Sequence, residues 1–157
     1  MFSSVHQTQY TSDELIRTFS ALLDSYSFEH ELAILGVKRH HLLKKRKAVR
    51  EFSALFIALW GLALQKSFPA ERDMVFDEFI SRYSYSAKGS NKEVTLLLRS
   101  IEVYATLLQI NRDKDFSEVA RFVTDLLMED SPARDRARLK TALGIRAMFN
   151  LIFDKLI

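Results

Sequence analysis

"KKRKAVREFSALFIALWGLAL", residues Lys44 to Leu64, sets five Lys or Arg in its first seven positions ahead of a nearly all-apolar run, Phe52–Leu64. A membrane anchor, a nucleic-acid arm and a half-buried helix all carry this signature. Length argues against the first, because a bilayer span needs about 20 apolar residues. The run is also organised. Ala54, Ala58, Gly61 and Gln65 form a narrow small-residue stripe, while Phe52, Phe56, Leu59 and Ala63 lie opposite, and Leu42 and Val49 extend that bulky side backwards. Small residues let a neighbouring backbone approach closely, and the bulky side fills a core. The stretch therefore reads as one long central helix, about 37–66, exposed and cationic at its start and buried beyond, with no membrane span.

The rest of the chain agrees with a helical fold. At 157 residues it is the size of one domain able to bury a core. Hydrophobic residues make up 48% and charged ones 27%, too apolar for disorder. Four Gly and two Pro are few for a protein built from hairpins. With no Cys, thiolate zinc sites, disulfide scaffolds and cysteine nucleophiles are excluded, and a reducing compartment fits. The N-terminal MFSSVHQTQYTSDE lacks the charged and apolar regions of a secretory signal, so a cytoplasmic location is expected.

Seven helical segments can be read, and no segment alternates like a strand. Residues 1–10 are expected to be a flexible N-terminal segment, and 11–157 a single helical domain. Thr11 with Glu14 resembles a capping box, behind which Leu15, Ile16, Phe19, Leu22 and Leu23 share one face. A short helix after Ser27 ends near Gly36. Ser67-Phe68-Pro69 closes the long helix, and the next carries Phe76, Phe79, Ile80 and Tyr83 on one side. Residues 84–91 form the clearest loop, with Asn91 as a cap. In helix 92–110 the polar residues Thr95, Arg99, Glu102, Thr106 and Gln109 occupy a stripe of about 80°, leaving most of the circumference apolar. Such a helix is central or lies partly in an oligomer interface, which makes Leu96 and Leu107 candidate dimer contacts. Asp115 with Glu118 caps helix 116–129, and Ser131-Pro132 opens the last helix.

Two groups of residues are candidate sites. Lys38, Arg39, Lys44, Lys45, Arg46, Lys47 and Arg50 form a basic stretch without an acid, although the chain as a whole carries 23 basic and 20 acidic residues. It could bind nucleic acid or another polyanion. Its charges spread around the helix, however, and no Phe, Tyr or Trp interleaves them for stacking on single strands. The second group is Arg146 and Asn150, one turn apart inside an apolar arc of Leu139, Ala142, Leu143, Ile145, Phe149, Ile152, Phe153 and Leu156. A guanidinium there pairs with an internal carboxylate (Glu102 is one candidate), snorkels to solvent, or lines a polar pocket or partner contact.

Catalytic patterns are scarce. His40 and His41 lie among cations that disfavour a bound metal, and His30 has only adjacent acids, which diverge on a helix. Asp73 and Asp77 share a face but belong to an early helical turn where acids suit the dipole. No Gly-rich phosphate loop is present. The sequence thus predicts an all-α, compact single-domain bundle of six or seven helices. The expected function is a non-enzymatic protein-interaction or regulatory module, with a homodimer as one form. Neither cofactor nor metal is expected. A polyanion- or nucleic-acid-binding accessory protein using 38–50 is the alternative.

Overall fold

Gly36 ends the first chain reversal that shapes the bundle. Its φ of 72° is a left-handed conformation that glycine adopts without a Cβ clash, and the adjoining Val37 N–H closes back on the Leu32 carbonyl at 2.9 Å. The computed structural model describes residues 2–86, 91–110 and 115–156, with side chains described from Ser12 onward except at Ile110. These residues form seven helices and no strand: α1 (Phe2–Ser25), α2 (Glu29–Ile34), α3 (Leu42–Ser67), α4 (Arg72–Ser86), α5 (Asn91–Ile110), α6 (Ser117–Leu127) and α7 (Pro132–Asp154).

Several ends follow the local chemistry. Ser131 accepts a hydrogen bond from the Arg134 N–H at 3.3 Å with Pro132 behind it, and Asp115 accepts one from the Ser117 N–H at 3.1 Å. Three boundaries differ from expectation. α1 starts at Phe2, so it includes residues expected to be flexible, and Thr11 lies inside the helix rather than capping it. α3 starts at Leu42 rather than near Val37, because residues 38–41 make a turn closed by His41 N–H to the Lys38 carbonyl at 3.0 Å. α4 continues to Ser86, into the segment read as a loop; residues 87–90 of that segment and 111–114 of the next lie outside the described residues.

α3 is the central element and packs against each of the other six helices. From Phe52 to Leu64 nearly every side chain is buried, and 72% of its apolar window lies inside the fold. The helix would cross a membrane by length and composition alone, but its burial is that of a core helix. Trp60 stacks on Phe19 of α1 at 4.3 Å with planes 3° apart, while Phe79 of α4 meets both rings edge-on at 5.0 and 5.2 Å. Of the expected face of α1, Leu15, Ile16, Phe19 and Leu23 are buried and Leu22 is half-buried against the core.

Gly61 belongs to the small-residue stripe and is where α4 crosses α3. A Cβ there would sit 3.0 Å from both the Phe76 ring and the Arg72 guanidinium, which itself lies 4.5 Å over that ring. Gly61→Val therefore forces both groups outward, and urea denaturation should show a loss of about 2 kcal/mol, the usual scale of overpacking. An unchanged midpoint would place the crossing elsewhere.

Helix α5 buries Leu97, Ile101, Tyr104 and Leu108. Its predicted polar stripe is exposed at all five positions, and Leu96 and Leu107 are half-buried. Phe116 is the N-cap of α6 with φ 59°, strained for a residue with a bulky side chain, and its ring is buried 5.6 Å from Phe149.

Candidate interaction surfaces

The basic stretch divides in two. Lys38, Arg39, Lys44, Lys45, Arg46 and Lys47 are all exposed and, among the described residues, make no ion pair. Lys44 and Lys45 lie in the first turn of α3, where there is no acid. Cations at that end oppose the helix dipole, so the local potential is strongly positive. His40 and His41 stand beside them with ring centroids 4.3 Å apart. Desolvation, and then His40, Lys44 and Lys38, hold the His41 imidazole below the usual histidine range. Next to these charges Leu42 is 73% and Leu43 82% exposed. Leu42 was expected to continue the bulky packed side; α3 begins at that residue, beyond the reach of its neighbours.

Arg50 is different. Its guanidinium turns inward, 3.4 Å from Glu51 and 3.3 Å from Glu93 of α5. Glu51 is only 3% exposed, and its carboxylate accepts hydrogen bonds from Ser100 Oγ and Tyr104 Oη, both at 2.8 Å. Burial, then the Glu51 charge and hydrogen bond, push the Tyr104 hydroxyl above the usual tyrosine range. This buried polar group between α3 and α5 was not singled out from sequence. Its visible signal was an acid on the same helical face as Leu55 and Ala58; Ser100 and Tyr104 are too distant in the chain for periodicity to reveal.

A cleft of about 840 Å³ opens beside this group between α1, α3, α4 and α5. Much of its charge is internally matched, since Arg82 bonds Asp13 and Glu78 and Arg50 bonds Glu51 and Glu93. Arg17 and Asp24, which also line it, make no ion pair among the described residues.

Arg146 and Asn150 are exposed, not buried, and Glu102 is exposed as well. Arg146 has no ion pair among the described residues, so the internal-partner reading is corrected. The buried face of α7 runs through Ala137, Thr141, Ile145, Met148 and Ile152. That leaves a second apolar line on the outside, with Leu139 69%, Leu143 58% and Phe153 43% exposed. Leu139, Leu143, Arg146, Asn150 and Phe153 follow one another at alternating spacings of four and three, the geometry of a helix-packing seam. Leu143 also borders a groove of about 630 Å³ between α7 and α2, walled by Lys140, Gly144 and Ala147 on one side and Tyr26, His30, Glu31, Ala33 and Ile34 on the other. There Tyr26 Oη donates to Glu31 Oε1 at 2.6 Å, while Glu31 Oε2 is buried without a hydrogen-bond partner among the described residues.

The residues weighed for catalysis do not assemble. Asp73 is exposed and pairs with Arg72 at 3.0 Å, Asp77 is exposed, and among the described residues no three His, Asp or Glu converge to hold a metal. No protein-family model matches the chain, and no curated protein or solved structure matches it either.

Proposed function

We propose that this chain is a non-enzymatic helical interaction module that takes an acidic amphipathic helix of a partner protein along α7. The observation that carries the reading is the exposed seam of Leu139, Leu143 and Phe153, interrupted by Arg146, which has no ion pair among the described residues. Large apolar side chains at packing spacing on a helix already buried on its other side are what a helix-in-groove partner uses. The groove beside Leu143 supplies a recess for one anchoring side chain. Arg136, Lys140 and Arg146 are exposed along the same helix without ion pairs among the described residues, so carboxylates on the incoming helix complement them.

The seam is poorly suited to two copies of this chain. Arg146 lies at its midpoint, so an in-register two-fold pairing sets Arg146 against its own copy. The α5 surface is a weaker interface still, because its large apolar side chains from Val94 to Leu108 are buried or half-buried.

A designed helical peptide with leucines on one face and flanking glutamates tests the reading by fluorescence anisotropy. Binding should weaken about tenfold with Leu143→Ser and about tenfold with Arg146→Ala, the scale of interface anchors, with melting temperature unchanged. A matched peptide with lysines for glutamates should bind at least about tenfold more weakly. Equal binding of the two peptides overturns the proposal. So does a dimer in sedimentation that Leu143→Glu dissociates, because that seats a second copy on the seam.

A further inference from the structure

We propose that residues 38–47 form a docking surface for the anionic face of a lipid bilayer, independently of the α7 seam. Two observations meet there. Six cations, Lys38, Arg39, Lys44, Lys45, Arg46 and Lys47, stand exposed without an ion pair among the described residues, and Leu42 and Leu43 project between them at 73% and 82% exposure.

Their arrangement has a direction. At 100° per residue, Leu42, Leu43, Arg46 and Lys47 fall within about 140° of the helix circumference, facing away from the buried Ala48. Lys45 flanks that sector, and the turn carrying Lys38 and Arg39 leads directly into it. One side of the first two turns of α3 thus presents two leucines ringed by positive charge. A bilayer with acidic headgroups complements both: the leucines enter the boundary between headgroups and acyl chains, and the cations remain at the level of the lipid phosphates and carboxylates. The positive end of the α3 dipole, not countered by any acid in its first turn, adds to the attraction.

Nucleic acid matches only half of the surface. Phosphates would engage the cations, but Leu42 and Leu43 would face a charged, hydrated backbone, and residues 38–50 contain no Phe, Tyr or Trp to stack on a base. The paired leucines therefore favour lipid. The apolar half of α3 plays no part in the docking, since it is already buried in the fold.

The test is co-sedimentation of the full chain with vesicles of phosphatidylcholine alone and of phosphatidylcholine containing about one third phosphatidylserine. Binding is expected to the acidic vesicles only and should fall as salt rises. Reversing Lys44, Lys45 and Lys47 to Glu should weaken it at least about a hundredfold, at roughly fivefold for each cation removed. The double variant Leu42→Ser, Leu43→Ser should weaken it about tenfold. All five side chains are exposed, so melting temperatures should not move, which separates lost docking from lost folding. Duplex DNA is the comparison ligand: any affinity for it should be much weaker and indifferent to the leucine substitutions. No sedimentation with acidic vesicles at 50 mM salt, or equal sedimentation with both vesicle types, overturns the proposal. Tighter binding to DNA than to acidic vesicles, with vesicle binding unaffected by the leucine substitutions, overturns it in favour of a nucleic-acid surface.

Discussion

Replacing Trp60 by alanine lowers the unfolding free energy by about 4 kcal/mol, the largest single-residue loss expected in this fold. Trp60 is 1% exposed and lies where α1, α3 and α4 meet, with Phe19 stacked on it at 4.3 Å and Phe79 edge-on at 5.0 Å. Truncation removes the indole from both contacts and leaves a cavity that three packed helices cannot close without moving. Urea titration should show the midpoint falling with little change in slope, as for a two-state loss of stability. Phe19→Ala opens the same space from the other side, so the double variant should cost less than the sum of the singles, by about 1 kcal/mol or more. Additive losses would mean that Phe19 and Trp60 do not stack in solution.

The second large effect is polar. Glu51→Leu keeps much of the side-chain volume but leaves Tyr104 Oη and Ser100 Oγ without their acceptor and strips Arg50 of one of its two carboxylates. The expected cost is about 3 kcal/mol, the scale for breaking a buried charged group. Tyr104→Phe should cost about 2 kcal/mol, because one buried carboxylate oxygen then loses its donor. Combining the two should recover part of the loss, since each removes a group the other has stranded. Alkali gives an independent readout. The folded-state Tyr104 pKa is raised, so its contribution is complete below the unfolded tyrosine value, near pH ~10, and is lost as pH climbs through the folded value. Phenolate absorbance from Tyr104 should therefore appear only as the chain unfolds, and Tyr104→Phe should make the alkaline decline in stability shallower. Early ionisation of Tyr104 in the folded protein would contradict the buried hydrogen bond.

What periodicity could reveal was the packed face of each helix. Leu15, Ile16 and Phe19 in α1 and Phe76 and Phe79 in α4 are buried as their spacing predicts, and the five residues of the predicted polar stripe on α5 all face outward. Gly36 and Ser131-Pro132 marked chain reversal and helix start because their backbone and hydrogen-bonding preferences act locally. The start of α3 was misplaced for a related reason. Lys and Arg favour a helix whether or not one forms, so Lys38 and Arg39 did not betray the turn that contains them. On α7 the helical wheel shows which residues are apolar but not how far a neighbouring helix reaches. It therefore merged the buried line through Ile145 and Ile152 with the exposed one through Leu139 and Leu143 into a single apolar arc that enclosed Arg146. Glu51 was legible only in part: its apolar surroundings were written in the local sequence, but its partners on α5 depend on how two distant segments pack.

Because α3 packs against every other helix but buries no side chain before Ala48, its two halves answer to different constraints. Between Phe52 and Leu64 a change of one methylene disturbs several helices together, so little there can vary without a compensating change elsewhere. From Leu42 to Lys47 no side chain is buried, and folding places almost no demand on which residues occupy those positions. That segment is accordingly a natural place for a fluorophore, a crosslinker or a rewritten charge pattern, and the rigid half of the same helix holds whatever is placed there at a fixed orientation to the bundle.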